Sequence, residues 1–116
     1  AVCPDLYKGK VAENVNEAHH LFSSLDWPKA IEDIGIAVEY LKSKGNDSIG
    51  VVGFCMGGAL TIASCIKIPG IRAGVCFYGI PSTELANPAN LTVPMQFHFA
   101  DKDKSEGFAD IKVFAL

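Results

Sequence analysis

Apolar residues follow two different periods in this sequence, and the switch between them falls in the stretch 49–65. Ile49, Val51, Val52 and Phe54 form a short β-branched and aromatic run, which predicts a strand. From Ala59 onward good helix formers take over, so a sharp strand-to-helix turn is expected at Cys55. Upstream, Ile31, Ile34, Val38 and Leu41 recur at spacings of 3, 4 and 3, the apolar stripe of an amphipathic helix. Asp26-Trp27-Pro28 starts that helix with a capping carboxylate and a first-turn proline, while Lys42, Lys44 and Gly45 suit its end.

Weaker signals fill in the rest. Ala1-Val2-Cys3 reads as the last residues of a strand and 4–10 as the loop leaving it. A modest helix is expected over 11–25, carrying His19 and His20. Adjacent helix positions diverge by about 100°, so these two histidines make a poor metal site and read as a solvated pair. The helix after Cys55 stops at Pro69-Gly70, and 73–78 is a continuous apolar run, as expected of a strand buried on both faces. A connection over 79–92, with one helical turn at 83–87, leads to a last strand over 94–100. Strands alternating with helices through crossovers of a dozen or more residues imply an α/β fold, with a parallel sheet covered on both faces.

A membrane-spanning helix competes for 49–66, where 18 successive positions carry no charge. Gly50, Gly53, Gly57 and Gly58 lie inside it, and the strand-to-helix switch accounts for them better.

Composition narrows the field. At 116 residues the chain holds one domain at most; 49% of residues are hydrophobic and 20% charged, ordinary values for a globular protein. A net charge of −3 provides no electrostatic footprint for nucleic acid or for an anionic membrane surface. The four cysteines, at 3, 55, 65 and 76, show no C-x-x-C and no metal-ligand spacing, which suits a reducing compartment such as the cytoplasm or an organelle stroma. The chain starts without Met, so the lack of a signal peptide before Ala1 says little.

The chemistry concentrates at Cys55. Gly53-Phe54-Cys55-Met56-Gly57 has the G-x-nucleophile-x-G spacing of a nucleophile elbow, with a thiol in place of a serine hydroxyl. Such a turn is so tight that side chains two before and two after the nucleophile are expected to collide. A helix N-terminus favours a thiolate, and the Met56 N–H would supply half of an oxyanion hole. The competing reading is an ordinary buried cysteine, which is the expectation for Cys3, Cys65 and Cys76. Asp101-Lys102-Asp103-Lys104-Ser105 opens like a calcium loop, but Glu106 stands where that loop needs Gly and Lys112 where it needs Glu. A carboxylate just past the C-terminal end of a parallel strand is instead where open α/β sheets place their sites, and a solvated turn of mixed charge is the competing reading. Gly53, Gly57 and Gly58 match neither glycine-rich nucleotide-binding pattern.

Gly53-Phe54-Cys55-Met56-Gly57-Gly58 resembles the elbow of the dienelactone hydrolase family of α/β-hydrolases. Cys3-Pro4-Asp5-Leu6-Tyr7, Cys76-Phe77-Tyr78-Gly79-Ile80-Pro81 and His98-Phe99-Ala100-Asp101-Lys102-Asp103 resemble three further motifs of that family. The resemblance implies a three-layer α/β-hydrolase sandwich and a thiol-dependent hydrolase of small lactones or esters, needing no metal or organic cofactor. It implies Cys55 as nucleophile, Met56 as oxyanion donor and Asp103 as the acid of a Cys-His-Asp triad. Tyr7, together with Lys8 or Lys10 in place of the family's basic residue, is the candidate for substrate binding.

The family's triad histidine lies well downstream of the acid, and no histidine follows His98 here. Residues 1–116 are therefore expected to be one partial domain, inactive alone, exposing apolar surface where flanking strands and at least one covering helix are missing, and completed by a missing segment or a neighbouring chain. His98 lies between Phe97 and Phe99 and is expected to point to the face opposite both, as a core histidine rather than a substitute base. A non-catalytic member serving as an interaction or assembly subunit is the alternative.

Overall fold

The computed structural model describes residues 1–105 and 108–109. Helices α1 (Val15–Ser23) and α2 (Trp27–Ser43) precede strand β1 (Ile49–Phe54), followed by helix α3 (Met56–Lys67), strand β2 (Ile71–Phe77) and strand β3 (Met95–His98). The three strands form one parallel sheet in the order β1-β2-β3. Phe54, Phe77 and His98 are level across it, so all three strands end at the same edge. That edge carries Cys55 and the loop bearing Asp103.

Capping decides where the helices start. The Asn14 side chain accepts from the Glu17 N–H at 3.0 Å, and the Glu17 carboxylate accepts from the Glu13 N–H at 2.8 Å. This reciprocal cap starts α1 at Val15, four residues later than apolar patterning suggests. His19 and His20 are exposed on α1, as expected. Asp26 caps α2 by accepting from the Lys29 N–H at 3.0 Å, and Gly45 after its end has φ 84°.

The core lies between α2, α3 and one face of the sheet. Every residue of α3 from Gly58 to Cys65 is buried, because the helix is enclosed by β1 and β2 on one side and α2 on the other. Leu60 and Ala63 pack with Ala30, Ile31 and Ala86, while Val38, Ile49, Cys65 and Ile71 form a second cluster. Burying a side chain such as Leu60 contributes about 1.5–3 kcal/mol.

The opposite face is open, as expected where at least one covering helix is missing. Among the described residues no helix covers it, and Val52 and Phe54 there are each 60% exposed. Phe54 stacks on Phe77 with ring centroids 4.6 Å apart, and Phe77 stacks on His98 at 4.4 Å. His98 does lie opposite Phe97 and Phe99, but it is an exposed residue in an aromatic row and not a core histidine.

Several boundaries also move. Residues 1–3 form no strand, because among the described residues they have no ladder partner. β2 starts at Ile71 instead of 73. β3 is confined to Met95–His98 because its register against β2 runs only from Met95 to His98. The turn expected over 83–87 covers 83–85, where the Ser82 hydroxyl accepts from the Leu85 N–H at 3.2 Å, and a 3-10 turn follows at Pro88–Asn90. The uncharged stretch 49–66 is split between β1 and α3, and no described helix is long and apolar enough to cross a membrane.

Candidate active site

Cys55 sits between β1 and α3 at φ 56° and ψ −119°, a region that side-chain-bearing residues rarely occupy. Three backbone bonds hold it there. Its N–H donates to the Phe77 carbonyl at 3.0 Å, and its carbonyl accepts from Gly58 at 2.9 Å and Ala59 at 3.2 Å. β2 and α3 thus determine the turn together, and the Cys55 side chain is left exposed.

Glycines let the backbones approach closely, though not quite where the spacing suggests. A Cβ on Gly53 would lie 2.0 Å from the Gly57 carbonyl oxygen and 2.6 Å from the Thr61 Oγ1. A Cβ on Gly57 would meet nothing within 4 Å. The collision expected on both sides of Cys55 therefore exists on one side only, since at Gly57 it is the backbone, not the missing side chain, that presses on β1. Two further contacts were not evident from the motif. A Cβ on Gly58 would lie 2.0 Å from the Tyr78 carbonyl oxygen, and one on Gly79, at φ 107°, 2.1 Å from the Cys55 carbonyl oxygen.

The other thiols divide by burial. Cys65 and Cys76 are buried, as expected, and desolvation pushes both thiols up from 9.0 to about 11. The Cys76 thiol also donates to the Gly79 carbonyl at 3.4 Å. Cys3 is exposed rather than buried, because residues 1–3 pair with no strand. All four cysteines are free thiols.

Asp103 follows β3 on an exposed loop. Its Oδ1 accepts from the Ser105 N–H at 2.9 Å, and its own N–H donates to the Ala100 carbonyl at 3.1 Å. Hydrogen bonding from the Ser105 backbone and then its side chain holds the Asp103 carboxyl below the usual range. β1 and β3 are two strand spacings apart, roughly 10 Å, with the site edge between them. Glu106 and Lys112, which enter the calcium-loop comparison, lie outside the described residues. Among the described residues, no three His, Cys, Asp or Glu side chains are grouped to hold a metal ion.

The loop over residues 5–10 is built around Asp5, whose Oδ1 accepts from the Tyr7 N–H at 3.1 Å and whose Oδ2 accepts from the Gly9 N–H at 2.6 Å. These bonds stabilise the left-handed pair Lys8 (φ 56°) and Gly9 (φ 80°). Lys8 makes an ion pair with Asp33 of α2, so its charge is already partnered. Lys10 is exposed, and its N–H donates to the Tyr7 carbonyl at 3.2 Å. Tyr7, Lys8, Lys10, Lys29 and Asp33 share a cleft of about 220 Å³. The Tyr7 hydroxyl donates to Met56 Sδ at 3.4 Å. Tyr7 and Met56 lie 49 residues apart, and no spacing rule links them.

The chain is similar to the Aquifex pyrophilus protein named usf, 35% identical over 111 residues and covering 90% of this chain and 48% of that protein. It is 33% identical over 109 residues to a Xenopus tropicalis carboxymethylenebutenolidase homolog, covering 88% of this chain and 43% of the relative. It is 29% identical over 115 residues to a Pseudomonas putida carboxymethylenebutenolidase, covering 89% of this chain and 48% of the relative. The chain thus spans about half the length of the curated relatives it matches. A model of the dienelactone hydrolase family matches residues 1–115. With that match running from the loop before Tyr7 to the segment after Asp103, and with a parallel βαβ core of the α/β-hydrolase type beneath it, the chain belongs to the dienelactone hydrolase family.

Proposed function

We propose that this chain carries the nucleophile and acid of a thiol-dependent hydrolase of small lactones or esters. The carrying observation is Cys55 itself: an exposed thiol at φ 56°, at the start of α3, in a turn closed by Gly53, Gly58 and Gly79. The names dienelactone hydrolase and carboxymethylenebutenolidase support lactones, which are cyclic esters, as the substrate class.

The chemistry is acyl transfer in two halves. The Cys55 thiolate attacks the carbonyl carbon, and the carbonyl π pair moves onto oxygen, facing the Met56 N–H. That N–H belongs to the first residue of α3 and so lies ahead of the helix's own hydrogen-bond ladder. The oxyanion collapses, the C–O bond to the leaving group breaks, the alkoxide takes its proton from solvent water, and a thioester on Cys55 remains. Water then attacks the thioester and restores the thiolate, with its proton taken by a base that Asp103 orients. Among the described residues, no histidine is hydrogen-bonded to the Cys55 thiol. His19 and His20 are on α1, and His98 is stacked on Phe77. The chain alone therefore stops at the acylated thiol, and a longer form supplying the base turns over.

The test uses 4-nitrophenyl acetate on this 116-residue chain. One equivalent of nitrophenolate should appear, with no further turnover and with acetyl mapped to Cys55. Limited alkylation with iodoacetamide should also reach Cys55 before Cys3, Cys65 or Cys76. Absence of acylation, or acylation at another cysteine, would favour a non-catalytic assembly subunit. Many turnovers abolished by His98→Ala would make His98 the base.

A further inference from the structure

We propose that Tyr7 is a positioning residue for acyl transfer, acting through Met56; the proposal rests on Cys55 being the nucleophile. The Tyr7 hydroxyl donates to Met56 Sδ at 3.4 Å from a loop that nothing in the elbow motif includes. Met56 is half-buried, packs against the Leu60 cluster and is the first residue of α3. Its side chain thus contacts both the core cluster and Tyr7. Its backbone N–H is the donor that must meet the oxyanion.

The loop that carries Tyr7 is tied both within itself and to α2. Asp5 accepts from the Tyr7 and Gly9 N–H groups, and Lys8 is tied to Asp33 on α2. α2 in turn packs on α3. Tyr7 therefore joins two parts of one frame, the 5–10 loop on α2 and the first turn of α3. The Cys55 turn occupies an unfavourable backbone region, so a small loss of restraint at Met56 lets that turn relax. Relaxation moves the N–H away from the oxyanion position, and rates respond steeply to such displacements. Sulfur is a weak acceptor, so the contact serves as a restraint on geometry rather than a source of stability.

Two reactions at the same thiol separate positioning from reactivity. Acylation by 4-nitrophenyl acetate passes through an oxyanion; alkylation by iodoacetamide does not. Tyr7→Phe should slow acylation of Cys55 by roughly 3- to 10-fold, short of the 100- to 1,000-fold typical of losing an oxyanion donor outright. It should leave the alkylation rate unchanged. Met56→Leu, which removes the acceptor while keeping the apolar volume, should give a similar loss, and Tyr7→Phe should add nothing in that background.

An unchanged acylation rate in Tyr7→Phe overturns this proposal alone. Equal losses in acylation and alkylation overturn it in favour of a general effect on the thiol or the fold, as does an additive double variant. If the unsubstituted chain is alkylated at Cys55 but never acylated, the hydrolase reading fails, and this proposal with it.

Discussion

Gly53→Ala is expected to destabilise the chain by on the order of 3–5 kcal/mol, whereas Gly57→Ala is expected to be neutral or to stabilise by up to about 1 kcal/mol. Both positions look equivalent in the Gly53-Phe54-Cys55-Met56-Gly57 motif, yet their surroundings are opposite. A methyl at position 53 meets the Gly57 carbonyl oxygen at 2.0 Å, its carbon at 2.3 Å and the Thr61 hydroxyl at 2.6 Å. Two of those atoms are backbone of α3, so the clash is relieved only by lifting the first turn of the helix off β1. That shift would also disturb the Cys55 bonds to Phe77, Gly58 and Ala59. At position 57 the methyl enters open space, and alanine lowers the backbone entropy of the unfolded chain. Urea unfolding of both variants checks this. The Gly53→Ala midpoint should fall far below the Gly57→Ala midpoint. Similar midpoints would mean that the approach of β1 to α3 is looser than described.

Alkaline conditions are expected to weaken the fold through Cys65 and Cys76. Burial raises both thiols from 9.0 to about 11, so each stays protonated in the folded chain at a pH where the unfolded chain has already lost its proton. Below pH 9 both states hold the proton and stability is unaffected by these groups. Between about pH 9 and 11 the folded state binds more protons than the unfolded state, so the stability of the fold falls as pH rises. The loss should be on the order of 1–2 kcal/mol for each thiol. Denaturant unfolding at pH 8 and pH 10.5 measures it, and the Cys65→Ala, Cys76→Ala double variant serves as the comparison. Its stability, lower at pH 8 from lost packing, should decline less over the same interval. Parallel declines in the two proteins would show that other groups carry the alkaline sensitivity.

The strand-turn-helix around Cys55 was legible in the sequence because it rests on local rules. Val51, Val52 and Phe54 favour an extended backbone, Ala59 and Leu60 favour a helix, and glycine is the residue type that permits the two to meet closely. Asp26 and Gly45 marked the ends of α2 in the same local way, and the parallel order of the strands followed from connections too long for hairpins. The dienelactone hydrolase family was also readable there, because the Cys55, Tyr7 and Asp103 motifs are contiguous in sequence.

What the tertiary structure decided is everything that joins distant segments or depends on what covers a surface. No periodicity pairs Tyr7 with Met56 or Lys8 with Asp33, since each pair forms only when the 5–10 loop folds onto α2 and α3. The unequal roles of Gly53 and Gly57 follow from the side of the turn on which α3 packs. Gly79 acts on Cys55 from a different strand connection. His98 read as a core residue because its neighbours are phenylalanines, but alternation fixes only which face a side chain takes, and whether that face is covered depends on the other elements of the fold. Among the described residues α2 and α3 pack on one face of the sheet, leaving Phe54, Phe77 and His98 to stack on the other. Local sequence can specify backbone direction and helix ends because those depend on neighbours a few residues away; burial and contacts are properties of the packed chain.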